Sequence, residues 1–174
     1  QFMVQTGKRL FKGYEDYTDV HKLTFDIETT SLTPETGHSF MIGVKDNRGF
    51  KKLITAYGEE GEYSRDGEKK MYEELFEIIH ELEPSIIVGY NSENFDWSYI
   101  FGRMDILGMS ETNVRRAKKD NRVTSIDITC DSIKTKHPMV GLSRKPATLK
   151  MGAEIEDYFQ TTMWGYNIMD TYHR

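Results

Sequence analysis

The chain has a single cysteine, Cys130, among 174 residues, which excludes an internal disulfide and points to a reducing compartment. No apolar run reaches the length of a membrane helix, and 37% hydrophobic with 29% charged residues is the composition of a soluble globular protein. No signal-peptide pattern is evident in a sequence that starts at Gln1 rather than Met, and there is no internal repeat or low-complexity tract. Cys130 and His137 are only two of the four ligands that a structural zinc site needs, so they define no metal centre.

What the sequence does have is an alternation. In Lys22-Leu-Thr-Phe-Asp-Ile-Glu-Thr-Thr30, the apolar Leu23, Phe25 and Ile27 alternate with Thr24, Asp26 and Glu28. Side chains two apart on a strand share a face, so Phe25 and Ile27 are expected in the core and Asp26 and Glu28 side by side on the other face. Both carboxylates are ionised at neutral pH and repel, a cost that a divalent cation with hard oxygen ligands removes. The D-x-E pattern alone is weak, since the 28 acidic residues of this chain supply about one match by chance. Ordinary acids on an exposed strand face remain an open reading of this segment by itself.

A second acidic position has its own setting. Pro84-Ser-Ile-Ile-Val-Gly-Tyr-Asn-Ser-Glu-Asn-Phe-Asp-Trp-Ser-Tyr-Ile100 reads as a buried strand over 86–88, a polar turn and a helix on which apolar residues from Phe95 to Leu107 recur at helical spacing. Asn94 stands at the N-cap, which sets Asp96 in the first turn near the positive end of the helix dipole. The carboxyl edge of the sheet is where α/β folds gather functional groups, and Asn91 at that edge carries an amide able to donate to and accept from a ligand.

Thr24-Phe-Asp-Ile-Glu-Thr-Thr30, followed about 70 residues later by Val88-Gly-Tyr-Asn-Ser-Glu-Asn-Phe-Asp96, resembles the first two exonuclease motifs of the DEDD, RNase H-like superfamily. In particular it resembles the proofreading domain of family B DNA polymerases, phage enzymes included. The family's D-x-E is matched by Asp26 and Glu28, and its second motif, an Asn followed by an aromatic-Asp pair, by Asn91, Phe95 and Asp96. The likeness covers residues 9 to 174 in layout and about twenty residues at motif level. It implies an α/β fold, a five-stranded mixed sheet flanked by helices, and metal-dependent 3′–5′ exonuclease activity by two-metal phosphodiester hydrolysis.

On that implication two Mg²⁺ or Mn²⁺ ions are held by Asp26, Glu28 and Asp96, with Asp26 bridging, Glu28 on the water-activating ion and Asp96 on the other. Thr29 and Asn91 hold the terminal nucleotide, and Phe95 either wedges its base or packs in the core. The implied partners are a single-stranded or frayed DNA 3′ end and a polymerase domain of the same chain, in the cytoplasm of a bacterium or phage-infected host, with no membrane. A stand-alone ribonuclease of the same superfamily and a non-catalytic nucleic-acid-binding domain of the same fold remain as alternatives.

The family's third motif, Y-x3-D on a later helix, supplies a fourth carboxylate. Tyr166-Asn-Ile-Met-Asp170 satisfies the pattern, yet chance supplies nearly one such match, and Trp164, Tyr166 and Ile168 read as a strand. This stretch is therefore expected to be the strand preceding the motif helix, with the chain a fragment of a longer polymerase that stops before it and is weakly active or inactive alone.

The rest reads as one domain with residues 1–20 as a lead-in. Ser39–Lys45 and Phe50–Ala56 form a hairpin around Asp46-Asn-Arg-Gly49, and Glu68–Leu82 is an amphipathic helix stopped by Pro84. Residues 112–150 read as an irregular elaboration. Ten basic against three acidic residues make 114–150 net +7 in a chain of net −5. Such a segment, which includes Arg144, Lys145 and Lys150, suits a nucleic-acid track beside an acidic cleft, or simply a solvated basic loop. Tyr14, Tyr17, Phe40 and Tyr90 are candidates to stack on bases.

Overall fold

The computed structural model describes residues 16–58, 61–109, 115–116, 123–128, 142–151, 154–163 and 165–172. Strand β1 (Lys22–Thr29) forms as its alternation demands, with Leu23, Phe25 and Ile27 buried and Asp26 and Glu28 exposed. Strands β2 (Ser39–Asp46) and β3 (Lys51–Thr55) make the expected hairpin. Its turn is held by the Asp46 carboxylate, which accepts the Arg48 and Phe50 N–H groups at 2.9 and 2.7 Å, while Gly49 takes a left-handed φ of +103°.

Helix α1 (Arg65–Leu82) begins earlier than the apolar pattern indicates, because the Ser64 hydroxyl caps the chain there by accepting the Gly67 N–H at 2.9 Å. After β4 (Ile86–Gly89) comes α2 (Asp96–Ile106). The expected N-cap is not Asn94. Phe95 holds that position without a side-chain bond, and Asn94 donates from Nδ2 to Asn91 Oδ1 at 3.0 Å instead. Asp96 is nonetheless the first helical residue.

Beyond α2 lie β5 (Arg115–Arg116), β6 (Val123–Ile128), β7 (Leu142–Met151), β8 (Glu154–Thr162) and β9 (Asn167–Asp170). The 112–150 stretch is thus not wholly irregular: β5-β6-β7-β8 form a second, antiparallel sheet. Strand β7 was hidden in the sequence because Pro146 and its charges break the alternation. Pro146 lies opposite Phe159 of β8, two residues past Arg144, where the β6–β7 pairing of the described residues ends.

The main sheet has the order β3-β2-β1-β4-β9, antiparallel across β3-β2-β1 and parallel across β1-β4-β9. This is the α/β, RNase H-like mixed sheet that the motifs imply, and its fifth strand is the predicted one. Both helices pack on one face. Trp97 of α2 meets the Phe25 ring edge-on at 4.9 Å, and Leu75, Phe76 and Ile79 of α1 join the same buried cluster as Ile42, Val44 and Ile54. Asp26 and Glu28 point to the other face.

A buried charged pair ties the helices together. Arg103 of α2 grips Glu68 of α1 with two bonds, Nε to Oε1 at 2.9 Å and Nη2 to Oε2 at 2.7 Å, and neither side chain reaches solvent appreciably. The Ser39 N–H, Tyr63 hydroxyl and Tyr72 hydroxyl also donate to the carboxylate, at 2.9, 2.7 and 3.4 Å. Burial pushes the Glu68 carboxyl up, but Arg103, Tyr63 and Ser39 together hold it below its ordinary value. The stability it contributes is therefore present above the unfolded-state pKa and is lost as pH falls through the lower folded-state value. Arg103→Met leaves the carboxylate buried without its cation and is expected to cost about 3–5 kcal/mol in urea denaturation; a loss below about 1 kcal/mol would show the pair to be a bystander.

Candidate active site

The site begins with a mismatch in strand length. The parallel β1–β4 ladder runs from Lys22↔Ile86 to Thr24↔Val88, so beyond Thr24 no strand of the described residues lies beside the β4-facing edge of β1. Asp96 takes that place, its Oδ1 accepting the Ile27 N–H at 3.3 Å. The carboxylate is 5% exposed and lies next to that of Asp26. Burial pushes the Asp96 pKa up to about 6; the Ile27 N–H opposes the shift, and the charge of Asp26 adds to it.

Glu28 follows on the same open face, at a register shift in the β1–β2 pairing between Glu28 and Thr29. Irregularities of this kind re-aim side chains at strand ends. Gly43 pairs with Asp26 and offers no side chain, so the groove beside Asp26, lined also by Lys45, Lys51 and Leu53, stays open over about 650 Å³. The structure therefore brings Asp26 and Asp96 together and leaves Glu28 exposed one step along the strand. Among the described residues no three His, Cys, Asp or Glu side chains are gathered into a ready-made metal site. The donor set itself suits a hard cation: a buried carboxylate with a raised pKa beside a second carboxylate is an anionic oxygen pair short of positive charge.

The remaining expected contacts lie around these acids. Thr29 donates its hydroxyl to the Ser31 carbonyl at 2.9 Å and so shapes the turn after β1. Asn91 sits at the sheet edge with a left-handed φ of +56°. Phe95 is half-buried, packed against the core and tilted over Tyr99 at 5.8 Å. The literal Y-x3-D match has a different occupation. The Asp170 carboxylate accepts the N–H groups of Asn91, Glu93 and Tyr172 at 2.8, 2.8 and 2.9 Å, and the Tyr166 hydroxyl lies 3.3 Å from His80 Nδ1 on α1.

Sequence reasoning missed a second buried ion pair. Glu93, between Asn91 and Asp96, is 4% exposed and receives Arg144 Nη1 at 2.8 Å, with Arg144 Nη2 on its carbonyl. Thr161 adds its N–H at 2.9 Å and its hydroxyl at 2.8 Å. Burial pushes the Glu93 carboxyl up while Thr161 and Arg144 draw it back. Arg144 therefore does not belong to a solvated basic track; of the β7 basic residues, Lys145 and Lys150 are the exposed ones. Nothing in the spacing of Glu93 and Arg144 signals this pairing, because it joins two sheets across 51 residues of chain. Phe40 packs beside Tyr57, and Tyr90 is exposed. Cys130, His137, Tyr14 and the Tyr17 side chain, with most of the basic segment, lie outside the described residues.

Because the folded-state pKa of Asp96 is raised from 3.8 to about 6, ionising it costs the folded state more than the unfolded one. Its contribution is neutral at low pH and becomes destabilising as pH rises from about 4 to about 6. Asp96→Asn keeps an acceptor for Ile27 and is expected to raise metal-free stability by roughly 1–3 kcal/mol at pH 7 and by little at pH 4. Thermal melts at both pH values measure it; equal effects at the two would remove the charge argument.

Residues 4–129 match the family model described as "DNA polymerase family B, exonuclease domain". The chain is 30% identical over 117 residues to a DNA polymerase of Desulfurococcus sp. (strain Tok), and 31% over 114 residues to DNA polymerase 1 of Pyrococcus abyssi. In each case 63% of this chain matches 14% of the relative. It is also 33% identical over 120 residues to a DNA polymerase of Pyrococcus horikoshii, covering 63% of this chain and 9% of that one. The chain thus spans a small part of the length of these relatives. Among solved structures, a family B DNA polymerase from Pyrobaculum calidifontis aligns at 23% identity and a TM-score of 0.49, over 88% of this chain and 15% of that one. The family model takes in both carboxylate motifs and most of the chain, and the protein belongs to the exonuclease domain of DNA polymerase family B.

Proposed function

We propose that this domain removes nucleotides from the 3′ end of DNA by metal-assisted phosphodiester hydrolysis, working beside a polymerase domain of the same chain. The observation that carries the reading is the placement of Asp96 against Asp26 at the carboxyl edge of the sheet, through the Ile27 N–H. Asp26, Glu28 and Asp96 would hold Mg²⁺ or Mn²⁺, which when bound supplies an activated water and neutralises charge on the scissile phosphate.

The chain's own residues do the rest. Asp96 is pinned by Ile27 so that its carboxylate faces Asp26, and it releases its remaining proton when the site is loaded. With a pKa of about 6, that release weakens metal affinity progressively below pH 6. Asn91, in the loop fixed by Asp170, and Thr29, in the turn after β1, would hold the terminal nucleotide.

Mn²⁺ is expected to raise the melting temperature of the chain, by an amount equivalent to about 2.7 kcal/mol at a hundredfold excess over Kd. Asp26→Asn should abolish that rise. Under single-turnover conditions a 5′-labelled single strand should shorten from its 3′ end in Mn²⁺, though only slowly, and stay intact with Asp26→Asn. A melting curve indifferent to millimolar Mn²⁺, together with an intact strand, would refute the proposal.

A further inference from the structure

Glu93 stands three residues before Asp96, in the loop between β4 and α2, and its polar groups are taken by three other strands. Its N–H donates to Asp170 of β9 at 2.8 Å. Its carbonyl accepts Arg144 Nη2 of β7, and its carboxylate accepts Arg144 Nη1 at 2.8 Å. Thr161 of β8 donates its N–H and hydroxyl to the carboxylate at 2.9 and 2.8 Å, and the hydroxyl accepts Arg144 Nη1 at 3.0 Å. Glu93, Arg144 and Thr161 are all buried. One guanidinium thus holds both the main chain and the side chain of a single residue, which fixes the peptide there as well as the carboxylate.

Joining two sheets does not require charge. Taking a carboxylate and a guanidinium out of water costs several kcal/mol per ion, and well-packed apolar residues often stabilise such a contact as well. What the ion pair adds is direction, because the planar fork of arginine meets its acceptors in one geometry. That direction is passed to Asp96 in two short steps. The Asn91 carbonyl accepts the Phe95 N–H at 3.0 Å, and the Ser92 carbonyl accepts the Trp97 N–H at 2.8 Å. The two residues before Glu93 therefore hold the two that flank Asp96. A Cβ on Gly89 would collide with the Ser92 side chain, so the loop is also seated closely on the end of β4. Asp96 then meets the Ile27 N–H at 3.3 Å, beside Asp26. Groups that share a metal ion have to be held to within about 0.5 Å, a precision that a loop reaches only with support from rigid elements.

We propose that Glu93 is a positioning residue of the acidic site: gripped by Arg144 and Thr161 of the second sheet, it fixes the loop that sets Asp96 against β1. The assignment rests on the exonuclease reading above and adds to it the support that the second sheet supplies.

The test follows the Ile27 amide proton by NMR in metal-free chain, and measures the Kd for Mn²⁺ from the electron paramagnetic resonance of the free ion. Asp96→Ala, which removes the acceptor, gives the reference position for a released Ile27 N–H. Arg144→Lys keeps the charge without the fork, and Glu93→Gln keeps the shape without the charge. Each is expected to move the Ile27 amide proton toward that reference and to weaken Mn²⁺ binding about tenfold or more, while the amides of β3 stay in place. A merely structural pair would lower the melting temperature and leave both readouts alone. Thr161→Val deletes one hydroxyl and keeps the ion pair; it should give smaller changes in the same direction, and it decides the matter if the other two variants do not fold. A folded variant in which either readout stays at its wild-type value would overturn the assignment. The two proposals fail separately. Wild-type chain that binds no Mn²⁺ removes the hydrolysis and leaves the Ile27 amide to decide whether Glu93 holds Asp96. Mn²⁺ binding and an Ile27 amide untouched by the three variants remove the positioning role and leave the hydrolysis standing.

Discussion

Strand β4 stops pairing with β1 at Val88, and the bare strand edge that results must find another acceptor for the Ile27 N–H. A buried donor left without one costs about 1–3 kcal/mol, so the position is constrained before any chemistry is considered. The acceptor is the Asp96 side chain, delivered by the first residue of α2. An asparagine would satisfy the same N–H. An aspartate does so at the cost of burying a charge beside Asp26, which is why its pKa is driven up to about 6. Sites that break a local rule in this way are where function concentrates.

For Asp96 to reach β1, the loop between β4 and α2 has to be fixed, and it is anchored from two directions. Asp170 at the end of β9 takes the N–H groups of Asn91 and Glu93. Arg144 and Thr161, on β7 and β8, take the carboxylate of Glu93. The loop that carries the second motif is thus joined both to the parallel half of the main sheet and to the antiparallel second sheet. A charge that looked on composition like part of a solvated basic segment turns out to be buried and structural.

The other end of α2 is set by the Arg103–Glu68 pair, and Arg103 Nη1 also reaches the Pro34 carbonyl at 2.8 Å. That contact draws the segment between β1 and β2 down onto the helices. The same segment approaches so closely at Gly37 that a Cβ there would lie 2.6 Å from Ser31 Cβ and 2.8 Å from the Tyr99 hydroxyl. Glycine is required at that point by proximity. Together the two ion pairs hold α2 at both ends, so Asp96 is positioned by the whole helix and not by its own turn alone.

The elements whose information is local can be read from residue order alone. The alternation of Phe25 and Ile27 with Asp26 and Glu28 is enough to build β1 and to choose which side chains face outward. The turn at Asp46 to Gly49, the stop at Pro84 and the apolar spacing of α1 and α2 are equally legible, and the motif order implied the sheet that is found. The contacts between segments far apart in the chain arise only on folding: Asp96 on Ile27, Glu93 with Arg144, Glu68 with Arg103, and Asp170 on the Asn91 loop. In sequence Arg144 and Lys145 are two adjacent cations of equal standing; in the structure one is buried against Glu93 and the other is in water. Residue type and period fix which way a side chain points from its own backbone, whereas what it meets there depends on where distant strands end, and no local pattern carries that information.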